Sequence, residues 1–265
     1  MYDRFRRRIS YLRVSVTDAC NLRCNYCVPS CRVTWLDRSA ILSFEEIEAL
    51  ARGALNLGID KLRLTGGEPL VRRGIVKLVA MLGRIQGIKD FAMTTNAVLL
   101  ADFATDLRLA GLGRLNISLD TLDPDRFREI SRGGDLSRVL AGIDAAILAG
   151  FQRIKLNCVV ESSREEADAQ QVAAFGRERG FDVRFIRRMD LQEGHFWPVY
   201  GGEGGHCNRC NRLRVTSDGR VFPCLFDPRS FSIRKYGIDG ALRRAVADKP
   251  ARGWRSDVSF YAIGG

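Results

Sequence analysis

Short apolar runs recur through the first two thirds of the chain, at residues 12–16, 62–64, 91–94, 115–119, 154–160 and 183–186. Each is a few residues long and is separated from the next by enough chain for a helix. Alternating strand and helix signals predict parallel strands joined by right-handed crossovers. Six such units make an α/β fold, a partial (β/α)6 barrel rather than a closed eight-stranded one. The first intervening segment reads as a helix in detail. Ser43 and Glu46 form a capping box, Ile47, Leu50, Ala51, Ala54 and Leu55 recur at helical spacing, and Gly58 stands where a C-terminal glycine belongs. Residues 162–179 predict a second helix, acid-rich at its start as the helix dipole favours.

From about Asp190 the pattern changes to glycines, aromatics and three further cysteines, with Gly201-Gly202-Glu203-Gly204-Gly205 as a flexible connector. This change divides the chain into a barrel of residues 1–189 and a small C-terminal domain of residues 190–265. Within that domain, Asp218-Gly219 between two runs of β-formers predicts a β-hairpin.

At 265 residues and 46% hydrophobic the chain can bury a full core, which excludes disorder as its dominant state. Its eight cysteines could form disulfides, but the basic start Met1-Tyr2-Asp3-Arg4-Phe5-Arg6-Arg7-Arg8 is followed by no apolar signal region. A cytoplasmic protein with reduced thiols is therefore expected. No stretch approaches the roughly 20 apolar residues of a membrane span. The net charge of +11, from 42 Lys+Arg against 31 Asp+Glu, points to a polyanionic partner or a basic surface. The basic residues are spread along the chain without interleaved aromatics, which argues against nucleic acid. Several arginines lie at strand ends beside the cysteine motifs, a placement suited to a small phosphorylated substrate.

Cys20, Cys24 and Cys27 form a C-x3-C-x2-C cradle after the first strand. Three thiolates can hold three irons of a cubane and leave the fourth iron open to a small molecule. A structural zinc site usually has paired C-x2-C units or added histidines, and no histidine occurs in the first 190 residues. After the second strand comes Thr65-Gly66-Gly67-Glu68-Pro69, either a tight turn or a close-approach loop for a ligand. Asn116, Ser118 and Asp120 alternate onto one face, as a buried hydrogen-bond network or as ligand contacts. Cys207, Cys210 and Cys224 form a second triad, which the hairpin brings together. It suits a second cluster, or zinc with His206 as fourth ligand. Arg212 and Arg214 share one face of the hairpin, to grip phosphate or a purine edge or simply to meet solvent.

The first cradle, with Tyr26 before its third cysteine, and the glycine turn resemble the signature of the radical S-adenosylmethionine (SAM) enzymes. Several further features together are similar to one family among these, the GTP 3′,8-cyclases of molybdenum-cofactor biosynthesis. They are Tyr11-Leu12-Arg13-Val14-Ser15-Val16-Thr17-Asp18, Leu64-Thr65-Gly66-Gly67-Glu68-Pro69-Leu70-Val71-Arg72, Leu119-Asp120-Thr121-Leu122-Asp123-Pro124, the run after the second C-x2-C, and the terminal Ile263-Gly264-Gly265. The resemblance implies a radical SAM barrel with a small Fe–S domain, two [4Fe–4S] clusters and SAM. It also implies an activity: the 5′-deoxyadenosyl radical takes hydrogen from C3′ of GTP, which closes onto C8 to give (8S)-3′,8-cyclo-7,8-dihydroguanosine 5′-triphosphate.

By the same resemblance, Cys20, Cys24 and Cys27 hold the catalytic cluster, and Cys207, Cys210 and Cys224 the second. Tyr26, Gly66, Gly67, Glu68, Ser118 and Met189 bind SAM. Arg13, Lys61, Arg63, Thr94, Lys155, Arg184, Arg212 and Arg214 bind GTP, and Gly264 and Gly265 reach into the site to assist turnover. The implied partners are a low-potential donor (flavodoxin or ferredoxin), the downstream cyclic pyranopterin monophosphate synthase, and a second copy in a homodimer. Cys31 and Cys158 belong to neither triad and are expected to be dispensable. The chain departs from the family in having only about twenty residues between Arg184 and Cys207, where the family has several dozen more, and in carrying Arg187 and Asp190 in place of glutamate and proline. A related two-cluster enzyme acting on another nucleotide or a peptide is the alternative reading.

Overall fold

The computed structural model describes residues 1–28 and 33–264; Cys31 and Gly265 lie outside them. Six strands, β1 (Tyr11–Ser15), β2 (Lys61–Thr65), β3 (Asp90–Thr95), β4 (Arg114–Ser118), β5 (Ile154–Val160) and β6 (Asp182–Arg187), pair in parallel in chain order. Helices α1 (Phe44–Asn56), α2 (Ile75–Gly83), α3 (Leu100–Leu109), α4 (Pro124–Ser131), α5 (Leu136–Leu148) and α6 (Ala167–Glu178) occupy the crossovers. The partial barrel expected from the alternating signals is thus present.

Its sheet continues past β1. Strand β7 (Arg212–Val215) pairs parallel to β1, and β8 (Arg220–Phe222) and β9 (Phe231–Ser232) add antiparallel, giving the order β6-β5-β4-β3-β2-β1-β7-β8-β9. Helices α7 (Ile233–Ala247) and α8 (Phe260–Ile263) close the chain.

The period of two along each strand sorts apolar from polar side chains. Leu12, Val14, Leu62 and Leu64 join the core under the helices, together with Ile47, Leu50, Leu78 and Ile143. The alternate positions Tyr11, Arg13, Lys61, Arg63 and Thr65 face the lumen instead. The α1 capping box forms as expected: the Glu46 amide donates to Ser43 Oγ (3.1 Å) and the Ser43 amide to the Glu46 carboxylate (2.7 Å). The helix expected over residues 162–179 starts only at Ala167. Glu166 explains the delay, because its carboxylate accepts the amides of Ser162 (2.6 Å) and Ser163 (3.0 Å) and so stabilises a turn ahead of the helix. Among the described residues no helix is long and apolar enough to cross a membrane.

Candidate active site

A cavity of about 670 Å³ opens within the barrel. Both cysteine triads line it, as do Tyr26, Gly66, Gly67, Glu68, Ser118 and Met189, and the eight cationic and hydroxyl residues Arg13, Lys61, Arg63, Thr94, Lys155, Arg184, Arg212 and Arg214. Residues separated by more than two hundred positions thus converge on one space.

The first triad sits in the loop after β1, at the C-terminal end of the strand where parallel barrels collect their chemistry. Cys24 and Cys27 are drawn together by one turn, with the Cys27 and Val28 amides both donating to the Cys24 carbonyl at 3.0 Å. The loop is anchored to the end of α4 through Arg23 N to Ser131 O (3.1 Å) and Asn25 N to Ile130 O (3.0 Å). Burial pushes the Cys24 and Cys27 thiols up to about 12, and neighbouring thiols add to the effect. Burial also raises Cys20, against the pull of the Leu22 amide, which donates to its sulfur at 3.4 Å. Three half-buried thiols that resist ionising by themselves suit a cationic iron core, which takes thiolates as ligands. Among the described residues no three His, Cys, Asp or Glu side chains are grouped to hold a single metal ion.

The glycine turn after β2 packs directly on this loop. The Gly67 amide donates to Thr17 O (2.8 Å) and the Glu68 amide to Ala19 O (2.9 Å), and a Cβ on Gly67 would run into the carbonyls of Asp18 and Ala19. The turn is therefore tight because it abuts the cysteine loop, and it still lines the cavity. Glu68, 1% exposed, accepts from Thr95 Oγ1 (2.7 Å), Asn96 N (2.7 Å) and Leu70 N (3.1 Å). Burial outweighs these bonds and lifts its carboxyl to about 7.

The polar face of β4 divides its duties. Asn116 is buried and accepts from Arg114 (2.7 Å), while Asp120 accepts the Tyr26 phenol (2.7 Å) and the Val159 amide (2.8 Å). These two serve a hydrogen-bond network, and Ser118 alone of the three lines the cavity. Tyr26, whose phenol is pushed well above its usual range by burial and by Asp120, is fixed by that same bond.

Strand register explains the cationic wall. Arg13 pairs with Arg63 on one side and with Arg214 on the other, so three guanidinium groups stand abreast on β2, β1 and β7. Burial and the neighbouring arginines depress Arg13 well below its ordinary value. Burial takes Arg63 to about 9 and Arg214 to about 10. Arg184 is lowered by burial and by Arg114. Lys155, on β5, also lines the cavity and is paired with Asp182 at 2.5 Å. Among the described residues Arg63 Nε, Arg184 Nε and Thr94 Oγ1 are buried without a hydrogen-bond partner. Clustered buried cations with unsatisfied donors suit a polyanion, whose charge would offset both penalties.

The hairpin forms as expected, with Arg214 opposite Phe222, and it brings Cys224 back beside Cys210. Burial pushes the Cys210 thiol up, but Lys249 and Arg212 outweigh it and leave the thiol below its ordinary value. Burial prevails at Cys224. The 201–205 connector closes a turn, with Val199 N bonded to Gly204 O (2.9 Å), and it lines the cavity against Arg184. At the far end of the chain, Arg214 donates to the Gly264 carbonyl. Gly264 has φ +71°, and a Cβ there would strike Thr65 Oγ1, so the tail lies against the end of β2 as only glycine can.

Sequence reasoning missed Arg114, which is held by Asp90 (2.6 Å) and lines the cavity. Carrying the β4 alternation two residues back from Asn116 would have found it. It also missed Asn96, whose side chain approaches Cys20 Sγ (3.8 Å), and Lys249, which lines the cavity and which no local pattern marks.

The Radical SAM superfamily pattern matches residues 14–175. GTP 3′,8-cyclase of Geobacter sulfurreducens is 40% identical over 95% of this chain and 93% of its own, and that of Marinobacter nauticus is 42% identical over 88% and 84%. Alignment with the Pelotomaculum thermopropionicum cyclase covers both chains fully at 37% identity. It runs over 325 positions against the 265 residues here, so that relative carries segments this chain lacks. In fold, Streptococcus suis SuiB (TM-score 0.62, 14% identical, covering 93% of this chain and 67% of its own) and anSMEcpe with bound AdoMet (0.61, 16%, 91% and 81%) are similar. This chain belongs to the GTP 3′,8-cyclase family of the radical SAM superfamily.

Proposed function

We propose that the chain is a GTP 3′,8-cyclase of molybdenum-cofactor biosynthesis, using SAM and two [4Fe–4S] clusters. The observation that carries this reading is the facing of both cysteine triads and the arginine row onto one cavity. Cys20, Cys24 and Cys27 hold one cluster, and Cys207, Cys210 and Cys224 the other. Bound there, the first cluster and SAM supply one-electron cleavage and hydrogen abstraction from the ribose of the nucleotide.

The chain's own residues bind and orient. Gly66, Gly67 and Glu68 take the methionine end of SAM, with Tyr26, Ser118 and Met189 around it. Arg13, Arg63 and Arg214 neutralise the triphosphate, helped by Lys61, Thr94, Lys155, Arg184 and Arg212. Fixing ribose and base together would put C3′ in reach of C8, a gain in proximity; the closed ring still needs one electron and one proton to become an isomer of GTP, and the low-potential donor would supply that electron. Arg214 tethers Gly264 to the site.

We assign residues 1–189 to the barrel and 190–265 to the segment that carries the second cluster. A cytoplasmic setting, a flavodoxin or ferredoxin as electron donor, a homodimer, and handover to cyclic pyranopterin monophosphate synthase belong to the same reading. Full-length similarity to cyclases disfavours action on a peptide or another nucleotide. The test is mass spectrometry of products after anaerobic reconstitution with SAM, reductant and GTP. A product isomeric with GTP, formed together with 5′-deoxyadenosine, is expected; deoxyadenosine with GTP unchanged would overturn the assignment.

A further inference from the structure

Two buried cations from opposite ends of the chain converge on the backbone around the second cysteine triad. Arg7, 6% exposed, donates from Nη1 to the carbonyls of Cys207 (2.6 Å) and Ala251 (3.2 Å), and from Nη2 to that of Pro250 (2.6 Å). Its Nε donates to Asp3 at 2.6 Å, and the other Asp3 oxygen accepts the amides of Phe5 and Arg7, each at 2.9 Å. The guanidinium is thus aimed by a carboxylate that is itself fixed. Lys249, 1% exposed, donates from Nζ to the carbonyls of Arg212 (2.7 Å) and Pro223 (2.5 Å). Arg212 lies two residues after Cys210, and Pro223 immediately precedes Cys224.

All three cysteine positions are therefore tied, directly or through a neighbour, to a buried positive charge. Carbonyls carry no formal charge, so these bonds orient the Lys249 ammonium without neutralising it. Burying an ammonium is far costlier than burying an apolar chain of the same length, unless an anionic group repays it. A cluster ligated by three thiolates is such a group, and hydrogen bonds and net charge around a cluster set its reduction potential.

We infer that Arg7 and Lys249 are positioning residues for the second metal centre: both fix the backbone around its three cysteines, and Lys249 also sets positive charge beside it. This rests on the reading of the second triad as a cluster site. Lys249 adds charge as well as geometry, so its loss makes the second cluster harder to reduce. Arg7 acts mainly through the Cys207 backbone, so its loss lowers occupancy.

The experiment compares wild type with Lys249→Gln, Lys249→Arg and Arg7→Gln after anaerobic reconstitution, reading iron and sulfide content, Mössbauer spectra, cluster potentials and SAM binding. Wild type is expected to hold about eight irons. Arg7→Gln should fall toward about four, with the first cluster and SAM binding retained. Lys249→Gln should shift the second potential to more negative values, and Lys249→Arg, which keeps the charge, should restore it. If Arg7→Gln fails to fold, because it also frees Asp3, the Lys249 pair carries the test. Full loading with unshifted potentials in both Gln variants overturns the inference while leaving the cluster reading intact. Parallel loss of both clusters and of SAM binding in the Lys249 variants also overturns it, as a general folding role. About four irons in wild type overturns the second-cluster reading itself and this inference with it.

Discussion

Glu68 couples stability and ligand affinity to pH in opposite directions. Burial raises its carboxyl to about 7, so the folded chain keeps a proton that the unfolded chain releases near its ordinary value of 4.5. Between those values the native state binds more protons, and stability therefore falls as pH rises, by about 3 kcal/mol in total. Denaturant melts of the apoprotein from pH 4.5 to 7.5 should show this fall, and Glu68→Gln should flatten it. On the proposed assignment of Glu68 to the cationic amino group of SAM, binding favours the ionised carboxylate, so SAM affinity should rise over the same window. Calorimetry in buffers of different ionisation enthalpy would detect the proton released on binding. Nearby, Gly264→Ala should cut turnover about tenfold or more, measured as nucleotide product formed, because a Cβ there would strike Thr65 Oγ1 and come within 3.6 Å of the Gly66 amide. Arg212→Ala should cost roughly 1.5–3 kcal/mol of GTP affinity and none of SAM affinity, measured by anaerobic titration. Unchanged GTP affinity would remove the hairpin from the substrate grip.

At the level of elements, each strand expected from the apolar runs is present, because a parallel strand buried on one face by helices must be apolar at alternate positions whatever the loops do. Helix α1 was legible to its cap, since Ser43 and Glu46 satisfy each other locally. Ser43→Ala should lower stability by about 1 kcal/mol without touching activity, read as a shift in Tm. The start of α6 was not legible, because Glu166 could serve as a helical residue or cap a preceding turn, and only three dimensions settle which amides it accepts. The hairpin announced itself through Asp218-Gly219. Its joining to β1 did not, since parallel pairing between residues two hundred positions apart leaves no local mark.

Across the whole molecule the candidate site was legible in its cysteines, glycines and arginines because spacing and alternation carry their geometry. What the chain could not reveal is how cations are shared out: Arg13, Arg63 and Arg214 become a row only through the register of β1 with β2 and β7. That convergence bears on how the two metal centres divide their labour. The first triad lies beside the glycine turn and the second beside Arg212, so loss of one set of thiols should not mimic loss of the other. Cys24→Ala should abolish SAM cleavage altogether, because electron delivery to the sulfonium needs the first cluster. Cys210→Ala should keep some uncoupled cleavage but lose substrate conversion, because the nucleotide is then no longer held against C3′ abstraction. Cys158→Ala should keep both clusters: its thiol is buried, donates to the Asp120 carbonyl at 3.5 Å, and lies outside the cavity lining. The decisive measurement is 5′-deoxyadenosine and nucleotide product quantified side by side in each variant. If Cys24→Ala and Cys210→Ala lose both in equal measure while still folded, the two centres work as one unit, and the division drawn from their separate surroundings fails.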